Sequence, residues 1–243
     1  KTVGNLDTTV HLVGGTSVLN KSLEKELKAL GFKVERYGGD NREETSVKVA
    51  EKIGTSASTF VVGGEGEADA MSVSAVAATN KTPIIVAKKG GISEDAIEEL
   101  KDADVVVIGG EAAISKSDFE AMKEEASTIT RIAGSNRQAT NAEIINKYYA
   151  GEFGNNTAGS AAQNVIVAKD GQNNKMELVD ALAAANMASE KNAPIVLATN
   201  KLSTAQINAL ELNAKNAATL YQVGHGVSRD VVKTIAQRLG LAN

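Results

Sequence analysis

The sequence contains no cysteine and no tryptophan. Lack of cysteine excludes disulfide frameworks, thiolate zinc sites and cysteine nucleophiles together. Two histidines, His11 and His225, cannot build a His-rich metal cluster, so neither metal nor cofactor is expected. Aromatic residues make up 3% of the chain, so its cores must be valine, isoleucine, leucine and alanine. That is the composition of parallel sheets covered by small-residue helices. It also leaves no aromatic platforms for stacking sugar rings, so a carbohydrate ligand would be read by charge and hydrogen bonds. No apolar run approaches the roughly 18 residues of a membrane-spanning helix. Excess positive charge is missing too: the net charge is −4, against the basic face expected of a nucleic-acid binder. The chain opens on Lys1 with neither Met nor signal peptide, as a processed product or a fragment would.

What is present is repetition. Sliding the chain by 95 residues places Gly14 on Gly109, Arg36 on Arg131, Gly39 on Gly134, Asn41 on Asn136, Arg42 on Arg137 and Thr45 on Thr140. Further along, Asp69 matches Asp180 and Pro83 matches Pro194, now at an offset of 111. The difference is a polar insertion over 150–163, which belongs on a surface. A third copy opens at Gln222, Val223 and Gly224. The chain therefore divides into a first repeat over 1–101, a second over 102–216, and the opening strand and helix of a third over 217–243. That last piece is expected either to pack on the second unit or to complete another module.

Short apolar runs at 10–13, 59–62 and 84–86 read as strands, as does 33–37. The stretches 22–30, 44–53, 68–78 and a segment from Ser93 read as helices. Ser93, Ser115, Ser203 and Ser228 stand where an N-cap is wanted. Strands alternating with helices over short loops predict an α/β fold of repeated Rossmann-like, doubly wound modules with parallel sheets.

The most distinctive motif is R-x-x-G-x-N-R-x-x-T, over 36–45 and 131–140. It joins a strand end to a helix start, which is where ligands settle in open parallel sheets. Arg42 and Arg137 could hold an anion bidentately beside a helix N-terminus, or pair with Asp40, Glu43 or a carboxylate of the neighbouring unit. Arg36 and Arg131, inside strands, read as structural. Thr45 and Thr140 read as first-turn helix residues, and Asn41 and Asn136 as caps. The glycine turn at Gly63, Gly64 and Gly66 has a nucleotide-binding look. However, Glu65 and Glu67 would repel a pyrophosphate, and the equivalent turn at Lys169, Asp170 and Gly171 lacks the pattern. Asp69 and Asp180 recur at helix starts followed by small residues, which argues for architecture and close helix packing. No G-x-S-x-G elbow occurs, His225 is a turn residue and His11 reads as packed, so no catalytic residue is assigned.

These motifs, together with the D-A pairs at 69–70 and 180–181 and the P-I-[IV]-[VL]-A strands, resemble the type 2 cell-wall-binding repeat of clostridial surface proteins. The resemblance covers the whole chain. It implies a pseudo-threefold triangle of modules and a non-catalytic, secreted protein of a Gram-positive cell wall or S-layer. Such a protein holds an anionic wall polysaccharide without a covalent bond. It also implies protein partners: a low-molecular-weight S-layer subunit and neighbouring copies in a surface lattice. Implied contacts are the arginines Arg36, Arg42, Arg131 and Arg137, with Thr45 and Thr140 of the same motif. The strands Ile84, Ile85, Val86 and Ile195, Val196, Leu197 complete the implied set. The competing expectation is the targeting portion of a wall hydrolase, an amidase or protease whose catalytic domain lies outside this sequence. A scaffold whose repeats bind only protein is a third.

Overall fold

A computed structural model describes residues 8–55, 57–150 and 162–241. Strand and helix alternate along the chain: β1 (Thr9–Val13), α1 (Lys21–Ala29), β2 (Lys33–Tyr37), α2 (Arg42–Ile53), β3 (Thr59–Val62) and α3 (Glu67–Asn80). Next come β4 (Ile84–Val86), α4 (Glu94–Glu98), β5 (Asp104–Ile108), α5 (Lys116–Glu125), β6 (Thr128–Ile132) and α6 (Arg137–Tyr149). The last third runs β7 (Asn164–Ala168), a 3-10 turn (Lys175–Leu178), α7 (Val179–Glu190), β8 (Ile195–Leu197), α8 (Thr204–Asn213), β9 (Thr219–Gln222) and α9 (Arg229–Arg238). Ser93, Ser115, Ser203 and Ser228 each accept a hydrogen bond from the helix they precede. The helix expected from Glu44 starts two residues earlier, at Arg42, because Asn41 is its cap. Most of the polar insertion lies outside the described residues.

All strand pairs are parallel, in sheets ordered β1-β2, β4-β3-β5-β6 and β8-β7-β9. The sheets cross the sequence repeats. β5, which opens the second repeat, pairs with β3 of the first and carries β6 on its other side, and β9 pairs with β7. The opening piece of the third copy thus packs on the second unit, with α9 lying against α8.

Side chains alternate across each strand, so the β4-β3-β5-β6 and β8-β7-β9 sheets each feed two cores. Phe60 and Val62 of β3 face a core that runs without a break through Ile144 and Ile145 of α6 to Val165 and Val167 of β7. Val61 points the other way, to Ile85, Val105, Val107, Leu100 and Met122. Burial of this kind stabilises at about 25 cal/mol per Å² of apolar surface, and a core shared between two sheets binds them into one body. α3 is buried nearly all round, among α6, α7 and β8. Its Ala70, Ser72, Ser74 and Ala77 permit that close approach.

The short edge strands β4 and β8 are covered by the helix that crosses from the preceding sheet, α2 for β4 and α6 for β8. An uncovered edge would leave backbone groups unpaired. On β4 the Val86 N–H donates to Ser46 Oγ at 2.9 Å. On β8 the same position is Asn141, fully buried, whose Nδ2 donates to the Ile195 carbonyl at 2.8 Å and whose Oδ1 accepts from Leu197 N–H at 3.3 Å. Gln206 Nε2 completes the edge, donating to the Leu197 carbonyl at 2.9 Å and to Asn141 Oδ1 at 3.0 Å.

Candidate functional site

Both R-x-x-G-x-N-R-x-x-T turns carry the chain from the carboxyl end of one sheet's last strand to the helix covering the next sheet. Their construction is the same. Asn41 and Asn136 accept from Glu44 N–H (3.0 Å) and Ala139 N–H (2.9 Å). Thr45 and Thr140 accept, through Oγ1, the N–H of Gly39 (3.1 Å) and Gly134 (3.0 Å), closing the turn. A Cβ on Gly134 would sit 2.4 Å from the Ala139 Cβ, so only glycine lets the turn pass the helix.

The inner arginines bind backbone. Arg36 donates to the Gly14 carbonyl (2.8 Å) and pairs with Glu24 (3.1 Å); Arg131 donates to the carbonyls of Gly109 (2.8 Å) and Ile114 (3.0 Å). Arg131 also lies 4.9 Å over the Phe119 ring, and burial pulls its pKa down. These two residues tie the glycine turn after β1 or β5 to the next strand.

Both outer arginines reach from the end of one sheet to the next. Arg42, with a side chain 74% exposed, pairs with Glu67 of α3 at 3.1 Å. Glu67 also receives Lys175, from beyond β7, and Lys175 bonds Glu65 as well. One ionic cluster thereby links parts of all three sheets. Arg137 donates to the Asp170 carbonyl at 2.9 Å and lies near Asp69. The bonded partners, a carboxylate and a carbonyl, lie in the same repeat as each arginine but beside the next sheet, whereas Glu43 is engaged elsewhere: its Oε1 accepts the N–H groups of Lys88 (3.2 Å) and Ser93 (3.0 Å).

The two proline-led strands lie deep. Ile85, Ile195, Val196 and Leu197 are buried in the cores, while Ile84 and Val86 are partly covered. Ile84 alone of the six lines a groove with Arg42 and Thr45, a cleft of about 500 Å³ beyond β1 and β2.

Asp69 and Asp180 open α3 and α7 beneath the turns after β5 and β9. A Cβ on Gly109 would come within 2.6 Å of an Asp69 oxygen, and one on Gly224 within 1.9 Å of an Asp180 oxygen. Burial pushes the Asp69 carboxyl up to about 6, against the opposing pull of Arg137. Of the two histidines, His225 is in a turn, as expected. His11 is not packed in a core: it lies half exposed on β1, stacked on Tyr37 at 5.7 Å. Among the described residues no group of three or more His, Cys, Asp or Glu could hold a metal ion, and no helix is long and apolar enough to cross a membrane.

Asp170 was overlooked. It is 3% exposed, and its carboxylate accepts from Thr199 Oγ1 (2.7 Å), Gln172 N–H (3.1 Å) and Gln138 Nε2 (2.9 Å). The available signal was the comparison of copies: Gln138 stands where Glu43 does, and an aspartate stands where the first copy has glycine.

Repeated parallel α/β modules, interlocked through arginine turns, define the class of fold. Comparison with known proteins gives the family. The profile of the cell wall binding domain 2 (CWB2) matches residues 36–118 and 131–232, and the chain belongs to this family. The fold matches Cwp8 from Clostridium difficile with a TM-score of 0.89 at 40% identity, over 99% of this chain and 40% of that one. It matches Cwp6 from Clostridium difficile with a TM-score of 0.80 at 25% identity, over 96% of this chain and 36% of the other. Among curated proteins, the N-acetylmuramoyl-L-alanine amidase LytC of Bacillus subtilis is 27% identical over 89% of this chain and 40% of its own length. The amidase enhancer of the same organism is 27% identical over 96% of this chain and 30% of its own length. The chain thus spans less than half of each of these relatives.

Proposed function

We propose that this chain anchors a surface protein by non-covalent binding of an anionic cell-wall polysaccharide, without a reaction of its own. Membership of the CWB2 family carries the reading. Arg42 and Arg137 are the ligand contacts in this proposal, each beside the N-terminus of a long helix, where anions are favoured. Arg36, Arg131, Thr45 and Thr140 hold the turns in shape. The strands Ile84, Ile85, Val86 and Ile195, Val196, Leu197 support them from the core, with Ile84 reaching the groove. Weak sites repeated on linked modules gain avidity by ~10²–10⁴ over one site when they engage one repeating polymer.

The finer reading places the protein in the S-layer, resembling the high-molecular-weight S-layer subunit of Clostridioides difficile. Its partners there are a low-molecular-weight subunit and neighbouring copies of the lattice. The match to Cwp8 and the shared motifs support it. A second reading has an observation of its own: LytC is an amidase, and this chain covers 40% of it, so the repeats would target a wall hydrolase. The three sheets would then act identically, and only the attached domain would differ.

Binding to purified anionic wall polysaccharide across a salt series tests the proposal. Expected is capture that weakens as salt rises, because screening acts over about 8 Å at physiological ionic strength. Capture should be lost in Arg42→Ala/Arg137→Ala with its circular dichroism unchanged. Undiminished capture by that variant would remove the arginine turns from the site, and no capture by the folded wild type would defeat the polymer reading.

A further inference from the structure

Copies of a repeat that diverge at one place mark where something has been added. Val62 and Ala168 hold the same register, accepting the N–H groups of Ala87 and Ala198 at 2.9 Å each. Two residues on, the middle sheet has Gly64 and the third sheet has Asp170. Only glycine fits the first position, since a Cβ there would sit 2.5 Å from the Ala87 carbonyl oxygen. In the third sheet the loop is longer: eleven residues lie between Ala168 and Asp180, where six lie between Val62 and Asp69.

This change opens a polar cleft of about 470 Å³ beyond the carboxyl ends of β7 and β8, lined among others by Asn136, Gln138, Asp170, Gln172, Thr199 and Asn200. Its volume is in the range of about 300–1,000 Å³ usual for small-ligand sites. Asp170 acts as the post of the site. With its carboxylate held by Thr199, Gln172 and Gln138, it fixes the Gln138 side chain by the NH2 end, leaving Oε1 free. Asn136 is fixed by the opposite end: its Oδ1 accepts from Ala139 N–H, leaving the NH2 free. The side-chain amides of Gln172 and Asn200 have no hydrogen-bond partner among the described residues. Oriented donors and acceptors thus stand side by side, their internal bonds already made. Charge on the lining is limited to Asp170, already satisfied, and Lys201. The corresponding cleft of the middle sheet is of the other kind, lined by Lys88, Lys89, Asp69, Glu111 and Asp118.

Vicinal hydroxyls, each both donor and acceptor, are the ligand chemistry that such amides match. We propose that the cleft beyond β7 and β8 seats one neutral, hydroxyl-rich sugar residue of a wall glycan, held by the amides of Asn136, Gln138, Gln172 and Asn200. The inference rests on the wall-polymer reading and adds to it a site that works without charge. With no aromatic ring to stack on, one residue binds weakly. A dissociation constant on the order of 1 mM, about 4 kcal/mol, is expected.

The test is amide-resolved NMR of the ¹⁵N-labelled chain with four probes: the methyl glycosides of glucose, mannose, galactose and N-acetylglucosamine. Expected is a saturable shift of the Thr199 backbone and the Gln172 and Asn200 side-chain resonances with at least one probe. Raising salt from ~0.05 to ~0.5 M should leave it unchanged, as no ion pair is screened. Gln172→Ala/Asn200→Ala, which alters exposed side chains only, should weaken it about tenfold, equal to about 1.4 kcal/mol. Absence of shifts there with all four at ~100 mM, well above the expected constant, overturns the proposal, as does unchanged binding by the double variant. Glycoside shifts that persist while the wild type fails to capture wall polysaccharide would defeat the anchoring function alone. Intact polymer capture with no glycoside response would defeat this site alone.

Discussion

Replacing Asn141 by leucine keeps the volume of a fully buried side chain and removes its hydrogen bonds. Two backbone groups of the β8 edge then lose their partner, the Ile195 carbonyl and the Leu197 N–H, both sealed from water by α6 and α8. A buried backbone group left unpaired costs about 1–3 kcal/mol, so the loss is about 2–6 kcal/mol, centred near 4. The Leu197 carbonyl is spared because Gln206 still serves it. Ser46→Ala is the internal comparison. It strands one group, the Val86 N–H, and should cost about 1–3 kcal/mol. Against a total stability of about 5–15 kcal/mol the first change is severe and the second modest. Urea unfolding, followed by circular dichroism and by tyrosine fluorescence, measures both. With an m-value of about 3 kcal/mol per M, the midpoint should fall by about 1.3 M for Asn141→Leu and about 0.7 M for Ser46→Ala. A smaller loss for Asn141→Leu than for Ser46→Ala would refute the reasoning. Edge coverage by the crossing helix would then rest on packing rather than on paired backbone groups.

Two further outcomes follow from the turns and from Asp69. Gly134→Ala forces a Cβ to within 2.4 Å of Ala139 and should destabilise by about 1–3 kcal/mol, whereas Gly110→Ala meets nothing within 4 Å and should be neutral or slightly stabilising; thermal unfolding of the pair decides. The folded pKa of Asp69, about 6, lies above its unfolded value near 3.8, so the folded state holds the extra proton between these values and stability falls as pH rises through that window. Asp69→Asn, which removes this cost, should therefore raise the melting temperature at pH 7.5 and change it little at pH 4, by roughly 2–3 kcal/mol in difference. An equal effect at both pH values would show that burial does not hold the carboxyl up.

The strands and helices were legible because their patterns are local. Apolar residues run together at 59–62 and 84–86, helix-starting serines repeat, and Asn41 and Asn136 precede helices. The pairing of strands was not legible to the same degree. Similarity fixes the period of a repeat but not its phase, and β5 and β6 belong by sequence to the copy that follows the sheet they join. The roles of Arg36, Arg131, Thr45 and Thr140 could be argued from a strand-to-helix turn. The partners of Arg42 and Arg137, Glu67 and the Asp170 carbonyl, could not, since they lie 25 and 33 residues away across a boundary. Asn141 reads as an ordinary helix residue until β8 is placed beside it. Asp170 looked like a turn that had lost its glycines, when the loss itself was the information.

Strands handed from one repeat to the sheet of its neighbour make covalent order and spatial order disagree. A protease that cut near Lys101, between the first repeat and the second, would not divide the molecule there. β5 would remain bonded to β3 on one side and to β6 on the other, with Phe60 and Ile144 still in one core. The repeats are links that pass through each other rather than beads on a thread. If the chain holds a wall polymer as proposed, the cut ends would still travel together, and attachment would outlast the loss of the bond that makes it one chain.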